Sequence, residues 1–138
     1  MDQQPTLDRA LQTCSLVVTP ESIQTYAELT NDFNPLHVDA EFAAKTAMGR
    51  QIAHGTMSLC LIFQCVQRNF GGQALADVEL DVRFVKPVFI GDTVIAGGEA
   101  SREGPGQWNV WVRGADGADR IVGSARIGAC ALTQHGKA

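Results

Sequence analysis

The sequence predicts an α+β domain: one buried helix followed by an antiparallel β-sheet curved around it. Three observations carry that expectation. Residues 56–70 are apolar on nearly every face, with Met57, Leu59, Cys60, Leu61, Ile62, Phe63, Cys65 and Val66, and a helix of that kind must be wrapped by something. The period then changes to two. Val78, Leu80, Val82 and Phe84 alternate with Glu79, Asp81 and Arg83, which marks a strand with one buried face. Further strand candidates lie at 92–101, 107–114 and 119–131, punctuated by Gly91-Asp92, Gly104-Pro105-Gly106 and Asp116-Gly117. Consecutive strands joined by short turns imply an antiparallel meander.

The earlier elements follow from local signals. Residues 15–19 (Ser-Leu-Val-Val-Thr) read as a short strand. Thr19-Pro20-Glu21 then starts a helix, with Thr19 as N-cap and Pro20 at the first helical position. It runs to about Leu29, where Asn31, Asp32, Asn34 and Pro35 disfavour continuation. Pro35 biases Asn34 towards an extended conformation. The octet 30–37 (Thr-Asn-Asp-Phe-Asn-Pro-Leu-His) therefore reads as an irregular turn. Residues 40–48 form a short helix stopped by Gly49, and Gly71-Gly72 ends the long apolar one. There is no internal repeat, low-complexity tract or linker. The 138 residues suffice for one domain, 1–138, with a core at about 15–131, but not for two.

Composition excludes several classes. A net charge of −4 argues against nucleic acid as the main partner. No signal peptide is evident at the N-terminus, and no apolar run approaches the roughly 18 residues of a membrane span. A cytoplasmic protein without membrane attachment is expected. The four cysteines, Cys14, Cys60, Cys65 and Cys130, make no C-x-x-C pair, so no zinc site is expected. They read as reduced thiols, with Cys60 and Cys65 as small core hydrophobes.

The residues that can do chemistry cluster early. Asp32 and His37 are a carboxylate and an imidazole that could grip a water molecule, or a turn cap and an interior histidine. Gly55 opens the apolar helix, where first-turn amides have no intrahelical partner and the dipole favours negative charge. Its missing side chain would let a carbonyl approach closely. His54 is a second polar group there, with a packed, hydrogen-bonded role favoured. Arg83 and Lys86 flank a strand end and could neutralise ligand phosphates or simply face solvent. Trp108 and Trp111 read most simply as sheet residues.

The run Asp32-Phe33-Asn34-Pro35-Leu36-His37-Val38-Asp39, then Phe42-Ala43, then Ile52-Ala53-His54-Gly55 resembles the MaoC-like dehydratase family, and within it the short (R)-specific enoyl-CoA hydratases. Val82-Arg83-Phe84-Val85-Lys86-Pro87-Val88, followed by Gly91-Asp92, resembles a later signature of that family. The resemblance covers about residues 15–131. It implies a hot-dog fold, an antiparallel sheet around one long helix. It implies a homodimer with sheets joined edge to edge and acyl-CoA near the interface. It also implies that Asp32 and His37 are the catalytic pair, that Asn34 supports the site by hydrogen bonding, and that Gly55 is the backbone donor to the thioester carbonyl. Asn31 stands where the family often has glycine, and Asn tolerates left-handed geometry. Gln51 stands where proline is common, a change expected to be harmless. Phe63 occupies a position that helps shape the acyl pocket in related hydratases, and its bulk implies a shorter or differently shaped site.

The expected activity is reversible syn hydration of trans-2-enoyl-CoA to (R)-3-hydroxyacyl-CoA. Asp32 takes a proton from water, and His37 orients the water and helps return a proton at C2. Gly55 binds the thioester oxygen. No metal or redox cofactor is expected, since CoA arrives with the substrate, and acyl carrier protein is an alternative carrier. Two rivals stand beside this: an acyl-CoA thioesterase on the same fold, and a non-catalytic acyl-CoA-binding subunit.

Overall fold

Thr19 starts the first helix through a capping box. Its side chain accepts the Ser22 amide, and Ser22 Oγ accepts the Thr19 amide. With Pro20 at the first helical position, helix α1 spans Pro20–Thr30. It follows strand β1, Cys14–Val17, in a computed structural model that describes residues 10–128. The N-terminal targeting question, Cys130 and the end of the expected 119–131 strand lie outside the described residues.

The octet is not wholly irregular. Pro35–Val38 form one helical turn, α2, and Asn34 is its N-cap, accepting the Leu36 amide on Oδ1 at 3.0 Å. Pro35 begins this turn instead of merely breaking the one before, because the amide it lacks would have no partner at that position. Helix α3, Ala40–Ala44, is shorter than the 40–48 expected. Asp39 caps it by accepting the Phe42 amide, and the chain leaves the helix through Lys45, well before Gly49.

Helix α4 spans Gly55–Phe70 and ends at Gly71, whose φ of 88° suits a residue without a side chain. Then come strands β2 (Val78–Phe84), β3 (Thr93–Ala100), β4 (Gln107–Gly114) and β5 (Asp119–Ile127). They form one five-stranded sheet in the order β1-β3-β4-β5-β2, every pair antiparallel. Only β3-β4-β5 is a true meander. The simple meander expected from 78 onward is corrected at β2, which lies beside β5 and not beside β3. The 85–92 connection explains this. It is held by the 51–53 segment, with the Ala53 amide donating to the Val88 carbonyl at 2.7 Å and the Ile90 amide to the Gln51 carbonyl at 3.0 Å. Chain committed to that pairing cannot fold into a tight hairpin.

The core lies between α4 and the concave face of the sheet. Ile62 and Val66 of α4 share one core cluster with Val94, Val112 and Ile121 of the strands, all almost fully buried. Side chains of that size stabilise by roughly 1.5–3 kcal/mol each on burial. The expectation of a helix wrapped on nearly every face is corrected. Met57, Ser58, Leu61, Ile62, Cys65 and Val66 are buried, whereas Thr56, Cys60, Gln64 and Gln67 are exposed and Leu59 and Phe63 half-buried. One five-stranded sheet covers one face of a helix. Cys60 is therefore not a core thiol, while Cys65 is. Among the described residues no helix is long and apolar enough to cross a membrane.

Candidate active site

Asp32 is positioned by the end of α1. Asn31 adopts the left-handed conformation, φ 56° and ψ 37°, and is the only described non-glycine residue with positive φ. Both the Asn31 and Asp32 amides then donate to the Ala27 carbonyl. Asn is the side chain that tolerates this geometry best after glycine. The Asn34 amide donates to Asp32 Oδ1 at 3.2 Å, which fixes the carboxylate from the far side of the turn.

His37 is positioned by the segment before α4. Its Nδ1 lies 2.9 Å from the Ile52 carbonyl oxygen. A carbonyl can only accept, so Nδ1 carries the proton, and in the neutral ring Nε2 is left as an acceptor. The Gln51 side chain donates to the His37 carbonyl at 2.6 Å. Gln51 was expected to be harmless in place of proline; it holds the backbone of the histidine.

His54 ties the two together. Its ring stacks on His37 with centroids 4.0 Å apart, and Tyr26 meets its edge at 4.9 Å. His54 Nε2 donates to the Asp32 carbonyl at 3.0 Å. The residue is 2 % exposed and does not line the cavity beside it. The Tyr26 hydroxyl donates to Thr56 Oγ1 at 2.7 Å. Burial pushes the Tyr26 phenol above its ordinary value, with the nearby Asp32 charge adding to the effect. Asp32, His37 and His54 offer ligand-type atoms all within 4.8 Å of one another. Such a set could hold a divalent ion through Asp32 and the ring nitrogens not engaged by carbonyls, and it could equally grip a water molecule.

A cavity of about 300 Å³ opens beside His37, lined by it and by Gly55, Ser58, Phe84, Lys86 and Arg120 among others; Asp32 is not among the lining residues. Gly55 faces it under the Phe84 ring: a Cβ at this position would lie 3.0 Å from Phe84 Cε2. The absent side chain is what allows that approach. Lys86 reaches the cavity rim and is exposed. Arg83 is exposed on β2 and is not among the lining residues. Neither is Phe63, which is half-buried on α4. So the structure brings together Asp32, Asn34, His37, His54, Gly55 and Lys86, and leaves Arg83 and Phe63 apart.

Three contributors escaped the sequence reading. Arg120 is 7 % exposed and holds the cavity wall through Asp116 and Asp92, with Nη2 to Asp92 at 3.7 Å and Nη1 to Asp116 at 3.3 Å. Nothing local in the sequence marks it. Gln51 acts through a contact fourteen residues away. Ser58 lies three residues after Gly55 on the same helix, a spacing that was readable.

The chain has relatives among known proteins. A family model for the MaoC-like domain matches residues 2–116. An (R)-specific enoyl-CoA hydratase of Aeromonas caviae is 38% identical over 74 residues, 54% of this chain and 55% of that protein. A 3-hydroxybutyryl-CoA dehydratase of Methylorubrum extorquens is 34% identical over 77 residues, 56% of this chain and 49% of that protein. The matched part thus spans about half the length of these curated relatives. Among solved structures, an unliganded R-hydratase from Pseudomonas aeruginosa superposes with a TM-score of 0.76 at 25% identity, over 88% of this chain and 79% of that one. An (R)-hydratase from A. caviae gives 0.74 at 27% identity, over 92% of this chain and all of that one. The sheet against one long helix is the hot-dog fold, and the chain belongs to the MaoC-like domain family.

Proposed function

We propose that this chain hydrates trans-2-enoyl-CoA reversibly to (R)-3-hydroxyacyl-CoA. The observation that carries the reading is the grouping of a carboxylate and an imidazole: Asp32 and His37 offer ligand-type atoms within 4.8 Å of one another, and the Nδ1 bond to Ile52 leaves His37 Nε2 as an acceptor. Two acceptors hold one water by both its hydrogens and leave its oxygen lone pair free to attack.

As that oxygen bonds to C3, Asp32 takes one proton and the C2–C3 π electrons move towards the thioester oxygen. The Gly55 amide, at the start of α4, meets the charge that develops there. A donor of this kind is worth about 2.7–4 kcal/mol. Asp32 then returns the same proton to C2, while the second hydrogen stays on the new hydroxyl. His37 serves as orienter; with its Nδ1 proton committed to Ile52 it has no proton of its own to give. Delivery of oxygen and proton by groups on one side of the alkene makes the addition syn. Lys86 at the cavity rim suits the phosphates of CoA, and CoA itself is preferred to an acyl carrier protein as the carrier.

A homodimer fits the same picture. Strand β2 pairs only with β5 among the described residues, so its other edge is open, and open edges recruit strands. Asp32 is exposed, as are Phe33, Phe42 and the cavity-lining Phe84 and Val85. A second copy would cover them.

Hydrolysis of the thioester needs water aimed at the carbonyl carbon, and the donor at Gly55 would serve that reaction too. The experiment separates the two. Purified wild type should consume crotonyl-CoA by loss of enoyl absorbance, release no free thiol and give the (R) product. Asp32→Asn should lose at least about a hundredfold of that rate with its melting temperature unchanged. Thiol release by the wild type, or a fully active Asp32→Asn, would sink the proposal.

A further inference from the structure

We infer that the Ser58 hydroxyl is a second donor to the thioester oxygen, beside the Gly55 amide; the inference rests on the hydration reading above. Ser58 is 2 % exposed, and its Oγ has no hydrogen-bond partner among the described residues. Buried polar groups are paired in nearly all folded proteins, so an orphan calls for an explanation. A serine inside a helix can satisfy itself by bonding back to the carbonyl four residues earlier. Here that carbonyl belongs to His54 and receives the Met57 amide at 3.0 Å, while Ser58 Oγ makes no bond to it.

Its placement supplies the explanation. Ser58 lines the cavity together with His37, Gly55 and Phe84. Residues three apart share a helix face. Helical side chains lean towards the N-terminus, so the Ser58 side chain covers the turn that begins at Gly55. Gly55 has no side chain to screen it. First-turn amides lack partners within the helix, and His54 makes no side-chain cap to them. A substrate oxygen seated against the Gly55 amide therefore sits where the unpartnered hydroxyl can reach it. Two converging donors, one amide and one hydroxyl, would share the enolate charge.

The other orphaned atom at this end of α4 is His54 Nδ1. It is the rival partner for the hydroxyl, four residues away along the chain. If Ser58 served that ring, removing it would loosen the packing of His54 and lower stability without touching the thioester.

The test uses the full chain and two probes. With crotonyl-CoA, Ser58→Ala should lower kcat about 10- to 100-fold and change KM by less than about threefold. Its melting temperature should hold or rise, because an unpartnered buried hydroxyl is gone. Ser58→Thr, which keeps the hydroxyl, should recover most of the rate. The second probe is a dienoyl-CoA, whose absorption moves to the red when its carbonyl is polarised. Bound to Asp32→Asn, it should show a red shift that the added Ser58→Ala change reduces. An unchanged kcat, or a rate loss accompanied by a lower melting temperature and an undiminished red shift, overturns the inference. If the wild type is inert towards crotonyl-CoA, the hydration reading falls on its own, and the red shift still decides whether Ser58 touches the thioester.

Discussion

Gly55→Ala separates the close-approach role of this residue from its role in the fold. The added Cβ would meet Phe84 Cε2 at 3.0 Å, Cδ2 at 3.3 Å and Cζ at 3.7 Å. All three atoms belong to one side chain that is 54 % exposed, so the ring can yield a few tenths of an ångström towards solvent. The strain then stays at the low end of overpacking costs, about 1 kcal/mol. Replacing glycine in a helix regains roughly 0.5–1 kcal/mol of backbone entropy. The two nearly cancel, so folding stability should change by less than about 1 kcal/mol, a melting shift within about 4 °C for a domain of this size. Activity should respond very differently. On the proposed reading the methyl group would intrude where the thioester oxygen meets the Gly55 amide, and loss of one such donor costs about 10²–10³ in kcat. The assay is crotonyl-CoA consumption beside thermal unfolding. A folded Gly55→Ala protein with kcat within threefold of wild type would refute the oxyanion role. The double variant with Phe84→Ala tells the route: recovery means the displaced ring had blocked the cavity, and no recovery means the methyl itself excludes the carbonyl.

Asn31→Gly should keep activity and hold or raise stability, because glycine adopts φ 56° without strain. Asn31→Val should cost about 1–2 kcal/mol in urea unfolding and should lower crotonyl-CoA turnover by tilting Asp32; equal stability of the three proteins would contradict the strain argument. Burial, with Cys14 beside it, pushes the Cys65 thiol up to about 11 from an ordinary 9.0. A raised folded value means that the folded protein holds a proton the unfolded chain has lost. The stabilisation is complete below pH 9 and disappears as pH rises towards 11. Urea midpoints should therefore fall across that window in wild type and fall less in Cys65→Ala; parallel curves would remove Cys65 as the cause. At pH near 8, iodoacetamide should label exposed Cys60 while the native fold protects Cys65.

What was legible in the sequence is what local chemistry decides. Thr19, Pro20 and Ser22 form a cap within four residues, Gly71 stops a helix it adjoins, and the alternation from Val78 to Phe84 reports its own strand. That Asp32 and His37 lie close together was legible for the same reason, since they share one short turn. Pro35 was misjudged because proline both ends helices and begins them, and only the Asn34 cap decides which. The neighbour of β2 was not legible, because it depends on 85–92 pairing with residues 51–53, more than thirty positions earlier. Composition could say that α4 is apolar but not which of its faces one sheet would cover. Gln51 bonds His37 fourteen residues away, and Arg120 reaches Asp92 as well as nearby Asp116, so no short window along the chain contains all their partners.

Those long-range bonds also argue that the site behaves as one unit. The Ile52 carbonyl holds the His37 ring and the Gln51 side chain holds the His37 backbone. The Ala53 amide anchors the strap to Val88 on the cavity wall. His54 packs on His37, binds the Asp32 carbonyl and immediately precedes Gly55. Four consecutive residues thus connect the imidazole, the carboxylate-bearing turn, the cavity wall and the first amide of α4. On the proposed reading, this strap, more than the octet alone, would set the relation between the attacking water and the carbonyl donor. Asp32 itself is exposed on a turn and owes its orientation to Ala27, Asn34 and His54. Acid/base geometry of that kind is held only as well as its supports are. A substitution at Gln51 or His54 should accordingly act on turnover as strongly as many changes to residues that touch the substrate, although neither side chain enters the cavity.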